Sequence, residues 1–488
     1  MKYVESTPRN QIHLYSQCID EMVGADNPVR FIDLYGDELD LEKLGFRVVD
    51  NATGRPPFDP RMMIKLYMYG YLQRIRTSRR IERECERNIE LIWLTGDLRP
   101  DFHTIAEFRR INHKAMRALF REFLSFCRKL NLLKLETVGI DGTKVRAQNN
   151  VSNVFRRNTI EEVAHKIDEK IEEYLKELDE NDASEETLEL DREKVAKRIE
   201  QLRRKRDTVS GVQRRFAQDS NLEIVYATDE DARLMNDKGK IRPGYNVQAA
   251  VDAEHKLIIA AEVTNEANDK HQMEPMLAAV SELKSDMKVV TKTIAEMDCG
   301  YHREEAVLKH KDSEEFDLVV PSPKDSPKPQ SETSVPQKEY RAEAFCYDKE
   351  KDEFRCPEGK PLPLLTMTTI EGRGAKLYRG ECCGECARRE KCTRNAQGRT
   401  ITITENHWRM EAFRDKMNTS YYRKKLDERK ELCEHPFGTL KRGFGYDYFL
   451  LRGLEKVRSE FSFMCLIYNL RRSLSLVGVR GLLTALNG

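Results

Sequence analysis

Three acidic residues stand in segments that could carry metal-ion chemistry. Asp141 follows the strand-like run "LETVGI", and Asp298 follows a second such run, "TIAEM". In the segment "DERKELCEHPFGTLKR", Glu434 lies four residues after Lys430 and seven before Lys441. On a helix, residues four and seven apart share a face. We therefore expect this face to present one acid between two cations, and the two aspartates to lie where core strands end.

Carboxylates brought together by a rigid sheet would suit hydrolysis or transfer at a phosphodiester. Mg²⁺ prefers hard oxygen ligands and keeps several waters, so a few carboxylates suffice. Two such ions activate the attacking oxygen and stabilise the leaving oxygen. Each acid also has a simpler interpretation. Asp141 before Gly142 is a common turn signal, Asp298 reads similarly, and Glu434 suits an exposed helix surface.

The helix around Glu434 carries two residues that oppose helix continuation. Pro436 and Gly438 lie inside the segment, and either could kink or end the helix before Lys441. If that happens, Lys441 does not share the face of Glu434.

Residues 55–133 are predicted to form a helical domain. Asp59 is expected to cap a helix that begins at Pro60, and Thr104 with Glu107 is expected to form a capping box. Residues 55–146 contain 20 Lys or Arg against 11 Asp or Glu, an excess that attracts polyanions. Short helices joined by basic turns suit a helix-turn-helix reader of DNA, although by themselves they indicate no more than a helical bundle. A plain helical bundle with a solvated basic surface is the alternative.

The middle of the chain predicts a mixed α/β sheet. "VGIDGTKVRAQ" and the two halves of "GYNVQAAVDAEHKLIIAAEVTNE" have strand patterns, and helices alternate with strands from "HQMEPMLAAVSELKS" to "FDLVVPSP". A charged helical hairpin at 155–217 interrupts this pattern, with Thr159 and Glu162 expected to form its capping box.

Four cysteines in the second half of the chain have the arrangement of a structural zinc site. Cys383 and Cys386 form a C-x₂-C pair, Cys392 follows, and Cys356 precedes them. A tetrahedral zinc site needs four such ligands. The alternative is a set of reduced thiols in a small module. Further candidate ligands are Cys346, Cys382 and His407.

Composition limits the remaining classes of function. The net charge is +1, so the whole-chain balance indicates no particular partner. The N-terminal residues lack the apolar core of a signal peptide, and no run approaches the ~18 apolar residues of a membrane span. We therefore expect a cytoplasmic protein without a membrane partner and with reduced cysteines.

Taken together, these motifs resemble those of the DDE transposases of bacterial insertion sequences. "RPPFDPRMMIKLYMYGYLQRIRTSRRIE" with "DFHTIAEFRR" is similar to their N-terminal DNA-binding module. "VGIDGTKVRA" and "MDCGY" look like the segments that bear the two catalytic aspartates, here Asp141 and Asp298. "EHPFGTLKR" looks like the helix with the catalytic glutamate, here Glu434. The order, spacing and element types agree over most of the chain.

The resemblance implies an RNase H-like core and a specific reaction. Two Mg²⁺ or Mn²⁺ ions held by the three acids would support cleavage at the transposon end, followed by attack of the freed 3′ hydroxyl on target DNA. One branch of the family has a Tyr-x₂-Arg-x₃-Glu-x₆-Lys signature, which Glu434 and Lys441 match. Lys430 stands at the Arg position and Asp427 at the Tyr position, so the signature is incomplete.

The implied partners are double-stranded DNA, as terminal inverted repeats and as target, and a second copy of the chain. A homodimer is expected on DNA because two ends must be paired. Candidate DNA contacts are Lys144, Lys441, Lys430, Arg76, Arg79, Arg80, Arg109 and Arg110. Two other functions stay open, a catalytically silent DNA-binding regulator and a different RNase H-like nuclease such as a junction resolvase.

The predicted organisation has five parts. These are an acidic N-terminal segment at 1–54, a helical DNA-binding domain at 55–133, the first part of an RNase H-like mixed sheet with flanking helices at 134–323, a linker with the Cys-rich insertion at 324–408, and a helical part that completes the core at 409–488.

Overall fold

The computed structural model describes residues 18–47, 56–182, 189–322, 335–370 and 372–487. The chain divides into two compact units. Unit 1 comprises Met1–Asp269, Met276–Val289 and Leu432–Gly488, and unit 2 comprises Lys270–Pro275 and Val290–Glu431. The division is discontinuous in sequence, because the last segment of the chain returns to unit 1. The five-part organisation expected from the sequence stays a prediction.

Unit 1 begins with short helices, which confirms the predicted helical N-terminal region. Asp59 caps the second helix as predicted, because its side chain accepts a hydrogen bond from the Arg61 amide at 2.7 Å and Pro60 occupies the first turn. The helices are α1 (Pro28–Asp37), α2 (Pro60–Leu72), α3 (Ser78–Cys85), α4 (Ile89–Thr95), α5 (Phe102–Ile111) and α6 (His113–Lys129).

The capping box predicted at Thr104 is wrong. Helix α5 begins two residues earlier, and Asp101 is its N-cap, accepting from the Thr104 amide at 2.9 Å. The Thr104 hydroxyl donates to the other Asp101 oxygen at 3.0 Å, and Glu107 pairs with Arg110. A carboxylate three residues earlier competes better for the unpaired amides of the first turn than the threonine hydroxyl does.

The sheet of unit 1 is antiparallel and centres on a long strand, β5. Strand β1 pairs with β5 over nine consecutive residues, from Val138 opposite Asp252 to Arg146 opposite Gly244. Strands β4 and β6 pair with successive parts of β5. The strands are β1 (Thr137–Arg146), β2 (Val154–Arg156), β3 (Ile224–Tyr226), β4 (Arg233–Asp237), β5 (Lys240–Asp252) and β6 (Ile258–Thr264), with β2 and β3 forming a separate pair.

Two long helices, α7 (Ile160–Asp182) and α8 (Glu189–Gln218), follow β2. They pack through an apolar seam that includes Ile160, Ile167, Val209 and Phe216. The capping box predicted here is also wrong, because the Thr159 hydroxyl donates to the Arg156 carbonyl and Glu162 pairs with Lys166. A 3₁₀ turn at Arg157–Thr159 leads directly into α7 and supplies its start.

The C-terminal helix α14 (Leu454–Asn487) fills the core of unit 1 and packs on α6 and β6. Its Asn469 is fully buried and bonds both backbone groups of Ile258, accepting at 2.8 Å and donating at 2.7 Å. This amide satisfies a β6 residue that the helix covers. Helix α9 (Met273–Asp286) contributes to both units.

Unit 2 combines two parallel strands with a separate antiparallel sheet. The parallel strands β7 (Thr293–Glu296) and β8 (Phe316–Val319) are joined through α10 (Glu304–His310). The antiparallel sheet has the order β13-β12-β11-β10-β9. Its strands are β9 (Cys346–Asp348), β10 (Glu353–Arg355), β11 (Pro361–Ile370), β12 (Arg373–Arg379) and β13 (Thr400–Thr404).

The remaining helices are α11 (Arg389–Cys392), α12 (His407–Met417) and α13 (Ser420–Gly438). Helix α13 starts in unit 2 and ends in unit 1. Antiparallel and parallel strand pairs and many helices together confirm the predicted mixed α/β class. None of the helices that the structure describes combines the length and apolar character needed to cross a bilayer.

Candidate active site

Asp141 lies in the middle of β1 and not at the end of the strand, so that part of the prediction is wrong. The strand continues for five residues beyond it, because pairing with β5 extends to Arg146. The Asp141 carboxylate is half-buried, and its Oδ1 accepts from the Gly142 amide at 2.8 Å. The chain does not turn at Asp141-Gly142, because both residues are paired with β5 as part of a continuous strand.

Gly139 brings the end of helix α13 onto the face of the sheet that carries Asp141. A Cβ atom at Gly139 would lie 2.7 Å from Leu432 Cδ2 and 2.8 Å from Cys433 Sγ. Alternate residues of a strand share a face, so positions 139 and 141 lie on the same face of the sheet, about 7 Å apart. Glu434 directly follows Cys433 and is exposed. The helix that carries Glu434 therefore ends beside the strand that carries Asp141.

Helix α13 continues through Pro436 and reaches Gly438, where a π-helical turn, Thr439–Gly443, follows. Lys441 lies in this turn, and its Nζ donates to the carbonyl oxygen of Lys144 at 2.6 Å. Burial is the main cause that lowers the pKa of Lys441. The ammonium thus ties the turn after α13 to β1.

Asp298 follows β7 by two residues, as predicted for a residue after a core strand. It caps a 3₁₀ turn at Cys299–Tyr301, with Oδ1 accepting from the Gly300 amide at 2.7 Å. This residue belongs to unit 2, and the convergence of the three carboxylates stays a prediction. Among the residues described by the structure, no three His, Cys, Asp or Glu side chains form a group that could hold a metal ion.

A buried polar cluster that the sequence reasoning missed lies behind β1. Asn246 and Gln248, both fully buried on β5, donate to Asp269 Oδ1 at 2.7 Å each. Lys144 Nζ lies 3.6 Å from the same oxygen. Because Lys144 is three residues from Asp141, its side chain projects from the opposite face of the strand. In the sequence, the only sign of this cluster is that Asn246 and Gln248 stand at alternate positions of the otherwise apolar run "NVQAAV".

The arginines predicted to contact DNA fall into two groups. Arg76 and Arg109 are buried, and each guanidinium is used inside unit 1. Arg76 donates to the Tyr448 carbonyl at 3.0 Å and lies 4.9 Å from the Tyr446 ring centre, and Arg109 donates to the Tyr71 hydroxyl at 3.0 Å. The exposed members are Arg79, Arg80 and Arg110, together with Lys430, which lies 3.4 Å from Asp427.

Two family models match the chain. One, described as a transposase DDE domain, matches residues 355–474, and the other, described as a transposase domain, matches residues 17–110. Both matches support a DDE transposase of insertion sequences. The first match includes Glu434, and the second includes helices α1 to α4 and α5 up to Arg110. No curated protein and no solved structure matches this transposase.

The four cysteines of the predicted zinc site in this transposase line one cavity of unit 2, together with Cys382. Cys356 Sγ accepts from the Lys360 amide at 3.3 Å, and Cys383 Sγ accepts from the Arg399 amide at 3.3 Å. Burial raises the pKa of Cys392, and the nearby thiols of Cys383, Cys356 and Cys386 add to that rise. The remaining candidates, Cys346 and His407, are not among the described residues that line the cavity.

Proposed function

We propose that this transposase binds terminal inverted repeats and catalyses metal-dependent DNA strand cleavage and strand transfer through Asp141, Asp298 and Glu434. The proposal includes an RNase H-like arrangement of the core. The observation that carries it is the close packing of Leu432 and Cys433 against Gly139. A Cβ atom at position 139 would overlap these two side chains, so glycine permits the contact. The contact brings the helix that carries Glu434 to the strand that carries Asp141.

The chain supplies carboxylates of the right chemistry at accessible positions. Asp141 and Asp298 are partly exposed and Glu434 is exposed, so their oxygens can reach cations that keep several waters. These three residues would hold two Mg²⁺ or Mn²⁺ ions. When bound, such ions activate the attacking oxygen and stabilise the leaving one. Lys441 fixes the turn after α13 through the Lys144 carbonyl, and in this way it helps to hold Glu434 in place.

The N-terminal helices are proposed to bind the terminal repeat. Helices α3 and α5 pack together, and Arg79, Arg80 and Arg110 are exposed on them. Exposed arginines suit phosphate contacts, which position a protein on DNA without reading its sequence. We further propose that two copies of the chain pair the two ends of the element.

A structural zinc ion on Cys356, Cys383, Cys386 and Cys392 is also proposed. The four thiols line one cavity but do not form a metal-binding group in the described structure, so we propose that zinc draws them together into a closed tetrahedral site. The backbone amides of Lys360 and Arg399 donate to Cys356 and Cys383 and orient these two sulfur atoms. Zinc at this position would fix the loops between β10 and β13.

The test is incubation of the purified protein with duplexes that carry candidate element ends, in the presence of Mg²⁺. We expect end-specific nicking and joining by the natural chain. Asp141→Asn, Asp298→Asn and Glu434→Gln should each abolish cleavage while leaving DNA binding intact. Glu431→Gln, an equally conservative change at an exposed position of the same helix, is the matched control and should cleave normally.

Two outcomes would contradict the proposal. DNA binding without nicking under any metal condition would favour the alternative, a catalytically silent regulator descended from a transposase. Cleavage that depends on DNA branching and not on the end sequence would favour a junction-resolving nuclease.

A further inference from the structure

A basic groove in unit 1 lies beyond the end of β1. Its floor is the segment 146–151, and its walls are formed near Arg242 and near Tyr448 and Arg452. Three arginines line the groove, and none of the described residues that line it is an Asp or a Glu. None of these three arginines is among the residues expected from the sequence to contact DNA.

The groove is held in shape by backbone hydrogen bonds between its three segments. The Phe449 amide donates to the Arg146 carbonyl at 2.9 Å, and the Ala147 amide donates to the Pro243 carbonyl at 3.0 Å. Asn149, which is buried, accepts from the Thr228 amide at 2.9 Å. A ligand would therefore meet a preformed surface and would lose little free energy in ordering it.

The charges in the groove are only partly neutralised. Arg146 pairs with Asp447 and lies over the Tyr448 ring, 5.7 Å from its centre. Arg242 and Arg452 are exposed, and the described part of the chain offers neither of them an ion pair. Guanidinium groups without an acidic partner bind phosphate oxygens through two parallel hydrogen bonds. Half-buried Gln148 and Tyr448 add amide and aromatic groups beside these cations.

The position of the groove relates it to the catalytic strand. Asp141 and Arg146 are five residues apart on β1, which at the rise of a strand is about 17 Å. One strand of duplex DNA covers this distance in about five nucleotides. Because five is an odd number of positions, Arg146 projects from the opposite face of β1 to Asp141. A DNA strand seated at Asp141 therefore reaches the groove by passing around the end of β1, with a short flanking segment.

We propose that this groove binds the phosphate backbone of the DNA that flanks the cleaved position, with Arg242 and Arg452 as the phosphate ligands. The inference rests on the proposed function, since it assigns DNA to a second surface of the same protein. The groove would be a second DNA-binding surface of unit 1, beside β1 and β5, in addition to the surface expected on α3 and α5.

The experiment measures the affinity of the full chain for a labelled DNA duplex of arbitrary sequence, and for the matching single strand, as a function of salt. The plot of log K against log salt has a negative slope, and each lost phosphate contact makes this slope less steep by about 0.9. For Arg242→Ala with Arg452→Ala, the ratio of natural to variant affinity should shrink about 12-fold between 50 and 200 mM salt. Restoring charge with lysine at both positions should restore most of the slope.

The matched control is Arg471→Ala with Arg480→Ala, which removes the same charge from exposed positions of α14 outside the groove. Its slope should stay close to that of the natural chain. The groove proposal is refuted if the groove variant has an unchanged slope on both DNA forms and an unchanged thermal unfolding midpoint. The proposed function stands in that case, provided that the natural chain still cleaves DNA. If the natural chain neither binds nor cleaves DNA, the proposed function fails and the groove proposal fails with it.

Discussion

Replacing Gly139 by alanine should separate folding of this transposase from its catalysis. The added Cβ would lie 2.7 Å from Leu432 Cδ2 and 2.8 Å from Cys433 Sγ, where ordinary contacts are 3.4–4 Å. The Leu432 and Cys433 side chains, or the end of α13 that carries them, must therefore shift by about 0.7 to 1.3 Å. Overpacking of this size costs about 1–3 kcal/mol of folding free energy.

The same displacement should affect catalysis more strongly than stability. A misplacement of about 1 Å at a reacting group can cost about 10²-fold in rate. We expect Gly139→Ala to lower the rate of Mg²⁺-dependent cleavage by about that factor, with DNA affinity unchanged. Urea unfolding measures the first effect, and cleavage of a labelled end duplex under single-turnover conditions measures the second.

Two further variants show whether the contact itself is responsible. Gly211→Ala places a Cβ in open space within α8 and should stabilise the chain by about 0.5–1 kcal/mol, with normal cleavage. In a background with Leu432→Ala and Cys433→Ala, the cost of Gly139→Ala should fall, because the atoms it meets are gone. If Gly139→Ala unfolds and cleaves like the natural chain, packing on Gly139 does not position Glu434.

Three other predictions follow from buried or clustered groups. Arg76→Ala should destabilise the chain by about 2–4 kcal/mol in urea unfolding, because it removes a buried hydrogen-bonded cation stacked on tyrosine rings, whereas exposed Arg80→Ala should change stability by less than about 0.5 kcal/mol. Cys383→Ser should lower the zinc content measured by mass spectrometry and the thermal midpoint, and Cys346→Ser, outside the cavity, should change neither; zinc-free natural protein would refute the site. Burial, and then Lys309, lowers the pKa of His310 below 6.5, so the unfolded chain binds a proton first and stability falls as the pH drops from about 7 to about 5. His310→Gln should reduce that fall in urea unfolding at the two pH values, and an unchanged pH dependence would contradict this prediction.

The order and type of most elements could be predicted from the sequence because they depend on periodic patterns and nearby residues. The strand of Asp141, the two strands of "GYNVQAAVDAEHKLIIAAEVTNE" and the cap at Asp59 all appear in the structure. The errors were local as well. A capping-box pattern at Thr104 was outcompeted by Asp101, and an Asp-Gly turn signal at Asp141 was outcompeted by pairing with β5.

Sequence patterns alone were enough to single out the three acids, the four cysteines and the family resemblance, since residue type and spacing along the chain carry that information. Tertiary structure alone decided which basic residues are available to a ligand. Arg76 and Arg109 are as basic as Arg80 in the sequence, yet aromatic rings and carbonyl groups from distant segments bury them. It also decided that Gly139 admits α13, and that Asp269 joins the buried amides of β5. Such contacts join residues far apart in the chain, so no local pattern could reveal them.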